Sequence, residues 1–476
     1  MATTLSVVSV LLAVWLATAW WHANKPLPRG LGITGPWREV GDLHLLLDES
    51  YRDSQGEWHC RQAIFDEIFR LIGQARRLLV LDIFQFNVPG ENRDCYRPLA
   101  QQLRDALLRR KAEVPDLEIV LITDPINSVY GGRPTPHFDA LRQAGIQVVV
   151  TDLAASRDPN PTWSALWRLA FRWLGNTSRG GWLPNPLGPG KVTLRSYLAT
   201  LNFNANHRKT LVVDHGNDWV ALVSSSNADD ASSDYLDTAI RFASPAALDL
   251  LDSELAVAEW SGLPPLGLHP APLPPADAPP HQTRLRVLTE GAIRAALLDI
   301  IRDTHSDERL DIAVLFLSHR SVIEALKDAH RRGVAIRLLL DPNKSHFGHA
   351  SPGIPNRQAA HELHRAGIAI RWYDTRGEQA HSKVLLRSGG TRPAELLLGS
   401  ANFTRRSLDD LNLEADIQFH ATKDHPVIRD VQTAFERHWH NLDDERFSLP
   451  FDAHSDPSRW RYWRYRWLEV TGWSTF

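Results

Sequence analysis

The segment NHRKTLVVD, Asn206–Asp214, sets an imidazole and an ammonium two positions apart, His207 and Lys209, with the carboxylate of Asp214 five residues beyond. Alternate residues of an extended strand share a face, so the ring and the ammonium stand side by side. Imidazole titrates near neutrality and serves as nucleophile or proton carrier. The pair occurs again in AHSKVLLRS as His381 and Lys383, with Ser388 where the aspartate would stand. A small polar turn follows each pair: SSSN, with Ser225 and Asn227, and GSAN, with Ser400 and Asn402. An acid follows each turn, Asp237 in YLD and Glu414 in NLE. One His-x-Lys is a weak signal, since it arises by chance in many chains. The doubled, ordered set is a strong one.

The segments that must position these residues are themselves duplicated. LEIVLITDPINSVYGG from Leu117 parallels VAIRLLLDPNKSHFGH from Val334; both are apolar strands that end in Asp-Pro, at Asp124 and Asp341. These Asp-Pro pairs read as strand-end turns. LRQAGIQVVV and LHRAGIAIRW each read as a helix end, a stop glycine (Gly145, Gly367) and a new strand. Upstream, AIFDEIFRLIGQA with RRLLVLDIF matches AIRAALLDIIRD with RLDIAVLFL, and LAQQLRDALLRR matches SVIEALKDAHRR. Helices alternating with β-rich apolar runs indicate an α/β fold, a sheet covered by helices. Between the copies, PPLGLHPAPLPPADAPP holds eight prolines in 17 positions, which no helix or central strand tolerates. The expected layout is an N-terminal segment 1–25, lobe one over 40–262, a linker 263–282, lobe two over 283–445 and a tail 446–476. Lobe one carries about 48 extra residues (the insertion near 153–200), since Gly145 to His207 spans 62 residues and Gly367 to His381 only 14.

This doubled set resembles the phospholipase D superfamily, whose signature is a repeated His-x-Lys-x4-Asp followed by Gly-Ser-x-Asn. The resemblance runs from about residue 42 to 440. It implies two pseudo-twofold-related lobes, each a mixed, mostly parallel sheet flanked by helices, that pack so that both motifs share one active site. It implies His207, His381, Lys209, Lys383 and Asp214 as the catalytic residues, with the two histidines as the reacting pair. Asn227 and Asn402 would bind phosphate, Ser225 and Ser400 would support the pocket, and Asp237 and Glu414 would each orient a histidine. The family pattern makes His207 the nucleophile and His381 the acid; the sequence alone does not order them. Two departures stand out: Ser224 replaces the glycine of the first turn, and Ser388 the second aspartate. The chemistry implied is attack of a neutral imidazole on phosphorus, with proton transfer by the other ring. Two lysines and two amides would neutralise the phosphoryl oxygens. No metal or cofactor is implied, and HELH at His361–His364 lacks the metalloprotease spacing.

Three segments point to a lipid. LSVVSVLLAVWLATAWW, Leu5–Trp21, is a short membrane anchor flanked by tryptophans. A cleaved signal peptide is the competing reading, with Ala17-Thr18-Ala19 as the cleavage site. Lys25, Arg29 and Arg38 follow it and place the body on the cytoplasmic side of a bacterial inner membrane. Within the insertion, WSALWRLAFRWLGN reads as a helix with Trp163, Leu166, Trp167, Ala170 and Leu174 on one face and Arg168 and Arg172 opposite. The tail repeats the theme, with Trp460, Trp463 and Trp467 at helical spacing among arginines. The partners expected are a phospholipid substrate and a membrane surface, and the pseudo-dimer within one chain fits a monomer. The cardiolipin-synthase-like branch of the family combines an N-terminal membrane segment with two motif copies. A phosphatidyltransferase or phospholipase D follows from that resemblance, with a nuclease or a lipid-binding scaffold as alternatives. The net charge of −3 over 476 residues argues against a nucleic-acid partner. Two cysteines, Cys60 and Cys95, allow at most one bridge.

Overall fold

The structure is a computed structural model and describes residues 2–86, 96–264, 266–267, 283–346 and 349–476. Cys95, and with it the proposed bridge to Cys60, lies outside the described residues, as does most of the 263–282 linker.

Each lobe is built on one mixed sheet. In lobe one the strand order is Trp58–Arg61, Asp42–Arg52, Asp237–Ala243, Asp218–Ser224, Lys209–His215, Leu78–Ile83, Glu118–Thr123, Gln147–Val150. Lobe two repeats it from the second strand on: Arg284–Thr289, Ala415–Ala421, Ala394–Gly399, Lys383–Gly389, Glu308–Val314, Ala335–Leu340, Ala369–Tyr373. Arg38–Glu39 extends the first edge of this second sheet and Ser448–Pro450 the last. The mixed α/β sheet is as expected, but its balance is not mostly parallel. Parallel pairing is confined to three adjacent strands in each lobe, and the other pairs are antiparallel. The reason is local: His215 and Asp218 face each other across a two-residue turn with Gly216 at φ 64°, so the His-x-Lys strand must double back into a hairpin.

The helices follow the apolar periodicity. Ile64–Ile72 buries Ile64, Phe65, Ile68, Leu71 and Ile72, and Arg320–Arg331 buries Val322, Ile323, Leu326 and Ala329. The stop glycines do what the sequence implies: Gly145 and Gly367 sit at φ 82° and 96°, where a side chain would be strained.

Sheet alternation then assigns two cores. Leu211 and Val213 face the helices of lobe one. Val212, Val223, Ile240 and Phe242 face the other way and share one cluster with Leu386, Leu398, Ile417 and Phe419 of lobe two. The helix Ala246–Trp260 contributes Leu250, Leu251 and Leu255 to that shared cluster. The lobes are therefore fused face to face through apolar side chains, each worth about 1.5–3 kcal/mol when fully buried.

The N-terminal helix Ala2–Asn24 contains a 21-residue stretch, Thr4–Asn24, long and apolar enough to cross a membrane; a secretion signal shares both properties. It lies against the insertion, where Trp15 Nε1 donates to Thr162 O (3.0 Å) and the Asp158 amide to His22 O (3.0 Å). The insertion differs from expectation. Its α-helix covers only Pro161–Leu166 and passes into a π-turn over Trp167–Phe171. The wider turn rotates later residues, so Arg168, expected on the polar face, is buried in an ion pair with Asp158 (2.7 Å). Trp163 likewise turns inward, stacked on Phe171 (5.9 Å) and beside Trp473 (6.3 Å). The tail forms the helix Arg459–Thr471, docked by Tyr465, whose hydroxyl donates to Ser318 O (3.1 Å).

Candidate active site

Each histidine is pinned by the opposite lobe. The His207 amide donates to Leu413 O (2.9 Å), and the His381 amide to Leu236 O (2.8 Å). Leu413 and Leu236 immediately precede Glu414 and Asp237, so the two acids are delivered across the seam. His207 Nδ1 meets Glu414 Oε2 at 2.9 Å, and His381 Nδ1 meets Asp237 Oδ1 at 2.9 Å. The sequence placed an acid near a histidine; the structure shows that each acid serves the other lobe's ring. The imidazole centroids lie 6.5 Å apart with planes at 72°.

The supporting groups repeat the symmetry. Ser225 donates to Asp237 and Ser400 to Glu414, each at 2.5 Å. The two serine oxygens accept the Thr238 and Ala415 amides, both at 3.0 Å. Lys209 Nζ donates to His207 O at 2.5 Å, and Lys383 Nζ to His381 O. The Oδ1 atoms of Asn227 and Asn402 are buried without a hydrogen-bond partner, and Asn227 Nδ2 donates to Gln85 Oε1 at 3.3 Å. Phe84 lies edge-on to His207 (5.0 Å) and under Lys209 Nζ (5.0 Å), and Tyr235 lies 5.8 Å from His381.

Two residues the sequence read only as turn formers also hold the histidine segments. Asp124 Oδ2 accepts the Asn206 amide (2.7 Å), and Asp341 Oδ2 accepts the Ala380 amide (2.8 Å). These amides immediately precede the two histidines. The signal was present: Asp-Pro recurs at the same place in both copies.

Asp214 is not with the other motif residues. Lys209, Leu211 and Val213 alternate with Thr210, Val212 and Asp214, and five residues of strand span roughly 16 Å, so Asp214 sits on the other face at the far end. There its Oδ1 accepts the amides of Arg76 (3.0 Å), Arg77 (2.8 Å) and Leu78 (3.0 Å). Its position makes it a support for the entry to the Leu78–Ile83 strand, not a reacting group. In lobe two Ser388 pairs with Arg309, and Glu308 takes over, accepting the His305 amide (2.8 Å) and Arg387 Nη1 (2.8 Å).

Burial, then the ammonium groups of Lys209 and Lys383, hold His207 well below the usual imidazole range. Burial and Lys383 lower His381 to about 4 against the pull of Asp237. Burial lowers Lys209 to about 8 and Lys383 to about 7, opposed by Glu414 and Asp237 in the first case and by Asp237 in the second. Burial pushes Glu414 up to about 7. Burial also opposes ionisation of Asp237, but His381 and Lys383 outweigh it and keep that carboxyl below its usual value. The site thus holds two neutral rings beside two lysines that lose their charge near neutrality.

A pH dependence follows. An ammonium with a lowered value is charged below it and neutral above it. Affinity for an anion is therefore full at lower pH and lost as pH rises through about 7 to about 8. KM for an anionic diester is expected to climb through that range while kcat changes less; a KM flat across it contradicts the assignment.

Among the described residues no group of three or more His, Cys, Asp or Glu is disposed to hold a metal ion.

Two lobes of one strand order, fused so that two imidazole–ammonium pairs meet, define the phospholipase D architecture. Residues 297–439 match the family described as cardiolipin synthase, PLD-like domain. Phosphatidylserine synthase of Haemophilus influenzae Rd KW20 has a similar fold, with a TM-score of 0.56 at 10% identity over 92% of this chain and 96% of that one. Polyphosphate kinase of Porphyromonas gingivalis gives 0.44 at 14% identity, over 90% and 53%. Nuc, a phospholipase D family member of Salmonella typhimurium, gives 0.27 at 17%, over 34% and 97%. No curated protein matches the sequence.

Proposed function

We propose that the chain transfers or hydrolyses the phosphodiester of glycerophospholipids through a phosphohistidine, with cardiolipin-type phosphatidyl transfer as the favoured reaction. The observation that carries this reading is the crossed pair of His–carboxylate contacts with the rings 6.5 Å apart. Binding Nδ1 to an acid leaves Nε2 of each ring for chemistry. Nε2 of His207 attacks phosphorus as the bond to the leaving alkoxide breaks, and His381, protonated once the anionic substrate is bound, gives its proton to that oxygen. An acceptor hydroxyl then returns a proton to His381 as its oxygen attacks phosphorus and the P–N bond breaks. Lys209, Lys383, Asn227 and Asn402 hold the phosphoryl oxygens.

A lipid substrate fits the surface. Trp20 and Trp21 at the end of the anchor, Trp173 (69% exposed) in the insertion and Trp460 (76% exposed) on the tail helix lie on elements that touch one another. Exposed aromatics among arginines suit the headgroup layer of a bilayer. The family match and the fold shared with a phosphatidylserine synthase agree with a membrane phosphodiester.

The test is incubation of the purified protein with phosphatidylglycerol vesicles, beside labelled single-stranded DNA. Cardiolipin with released glycerol is expected, and neither product in a His207→Ala control. Phosphatidic acid alone would mean that water is the acceptor, and cleavage of DNA alone would replace the lipid reading.

A further inference from the structure

The two halves of the site are near copies, and one charged group breaks the symmetry. Two residues after each motif asparagine a side chain caps a short turn: Asp229 accepts the Ser232 amide (3.1 Å), and Thr404 accepts the Ser407 amide (3.5 Å). That register sets Ala231 against Arg406. Lobe one therefore contributes a methyl group where lobe two contributes a guanidinium.

Arg406 sits on the one-turn helix Arg405–Leu408, which leads into the segment that holds His207. Its carbonyl accepts the Asn412 amide (2.9 Å), the Leu413 amide donates to Ala205 O (2.9 Å), and the His207 amide donates back to Leu413 O (2.9 Å). Its guanidinium is thinly used: Nη2 reaches Asn412 Oδ1 only at 3.5 Å, and Nε is buried with no hydrogen-bond partner among the described residues. Its electrostatic neighbours are Tyr130, Glu414 and Asp124, and its charge is felt by His207. A part-buried guanidinium with a buried Nε donor to spare is costly unless an anion completes it.

The turn that carries Tyr130 is strained. Val129 and Tyr130 both adopt left-handed backbone, at φ 46° and 53°, which is a steric outlier for a β-branched valine. Asn176 of the insertion fixes this turn by donating to Tyr130 O (2.9 Å). The insertion thus braces the turn whose Tyr130 is an electrostatic neighbour of Arg406, a cation that also bears on His207.

We propose that Arg406 is a specificity-determining residue, an anion subsite beside His207 that takes a second phosphate accompanying the reacting one. The inference rests on the proposed phosphodiester chemistry and names the substrate class: two phosphates within a few bonds. The second phosphate has two possible sources. It belongs to the acceptor when a phosphatidylglycerol hydroxyl attacks, and to the donor when the donor is a diphosphate such as CDP-diacylglycerol. A guanidinium matches such an oxyanion with two parallel N–H donors, and the lysines and asparagines are already assigned to the first.

Binding of inorganic pyrophosphate and orthophosphate, measured by calorimetry on the full chain, tests the subsite without turnover. Wild type is expected to prefer pyrophosphate, Arg406→Ala to lose about 10- to 100-fold of that preference, and Arg406→Lys to lose part of it. An unchanged preference, or equal weakening for both ligands, overturns the proposal. Two kinetic arms then separate the sources. A KM rise for phosphatidylglycerol as acceptor but not for glycerol marks the acceptor. A KM rise for CDP-diacylglycerol but not for phosphatidylglycerol as donor marks the donor. Failure of the phosphodiester reading would show separately, as turnover that survives His207→Ala.

Discussion

His381→Ala enzyme, mixed with a phosphodiester that carries a 4-nitrophenolate leaving group, is expected to accumulate a phosphoryl adduct on His207, whereas His207→Ala enzyme accumulates none. With a lipid substrate either change should lower kcat by about 10⁴-fold or more, since the two rings act as one unit. The surroundings order the roles. Burial, then Lys209 and Lys383, keeps His207 neutral and thus nucleophilic, and its partner Glu414 is pushed up by burial to about 7. His381 leans on Asp237, a carboxyl held below its usual value, and an ionised partner suits the ring that must become an imidazolium. Adduct on His381 in the reciprocal variant would reverse the assignment. Intact-mass spectrometry after acid-free quenching reads either outcome, because phosphohistidine is acid-labile.

Asp237→Asn should show an effect that depends on the leaving group. Asp237 belongs to lobe one, yet its Oδ1 contacts His381 of lobe two at 2.9 Å. An amide of the same shape holds the ring less firmly and supports the imidazolium poorly, so lipid turnover is expected to fall about 10²–10⁴-fold. A 4-nitrophenolate leaves without a proton, so formation of the adduct from that ester should be nearly unaffected. Glu414→Gln disturbs the attacking ring and should slow both substrates. Equal losses on both substrates for Asp237→Asn would show that the residue only holds the fold. Thermal unfolding of the same samples separates that case.

Much of this was legible in the chain because it is written twice. Strand, Asp-Pro, helix, Ala-Gly-Ile, His-x-Lys and Ser-x-Asn recur in one order, and the folded lobes repeat one strand order. What the sequence did not reveal is long-range. Asp237 follows His207 by 30 residues, and alternation along a strand gives no reason for it to serve His381 instead. That choice is made by the shared apolar face, which brings Val212 and Phe242 against Leu386 and Phe419. The hairpin at Gly216 turned an expected parallel strand antiparallel, and a π-turn at Trp167–Phe171 buried an arginine that helical periodicity had placed in solvent. Asp214 was grouped with its motif by spacing, although strand geometry alone puts it on the other face.

The stretch just after the apolar N-terminal helix carries a practical consequence for anyone who wants the chain without that helix. Residues 32–39 brace both lobes: Gly32 N reaches Glu290 Oε2 (2.7 Å) and Gly35 N reaches Val287 O (2.8 Å) in the second, and Arg38 clamps Asp249 on the Ala246–Trp260 helix of the first at 2.9 and 2.8 Å. Glu290 in turn receives the Glu414 amide (3.2 Å), the backbone of the carboxylate that holds His207. Clipping the chain near Lys25 would shed the greasy helix and leave this brace whole. Clipping it about fifteen residues later would strip the edge of a sheet, leave the Arg284–Thr289 strand open to pairing with a neighbour, and slacken the hold on His207 from behind.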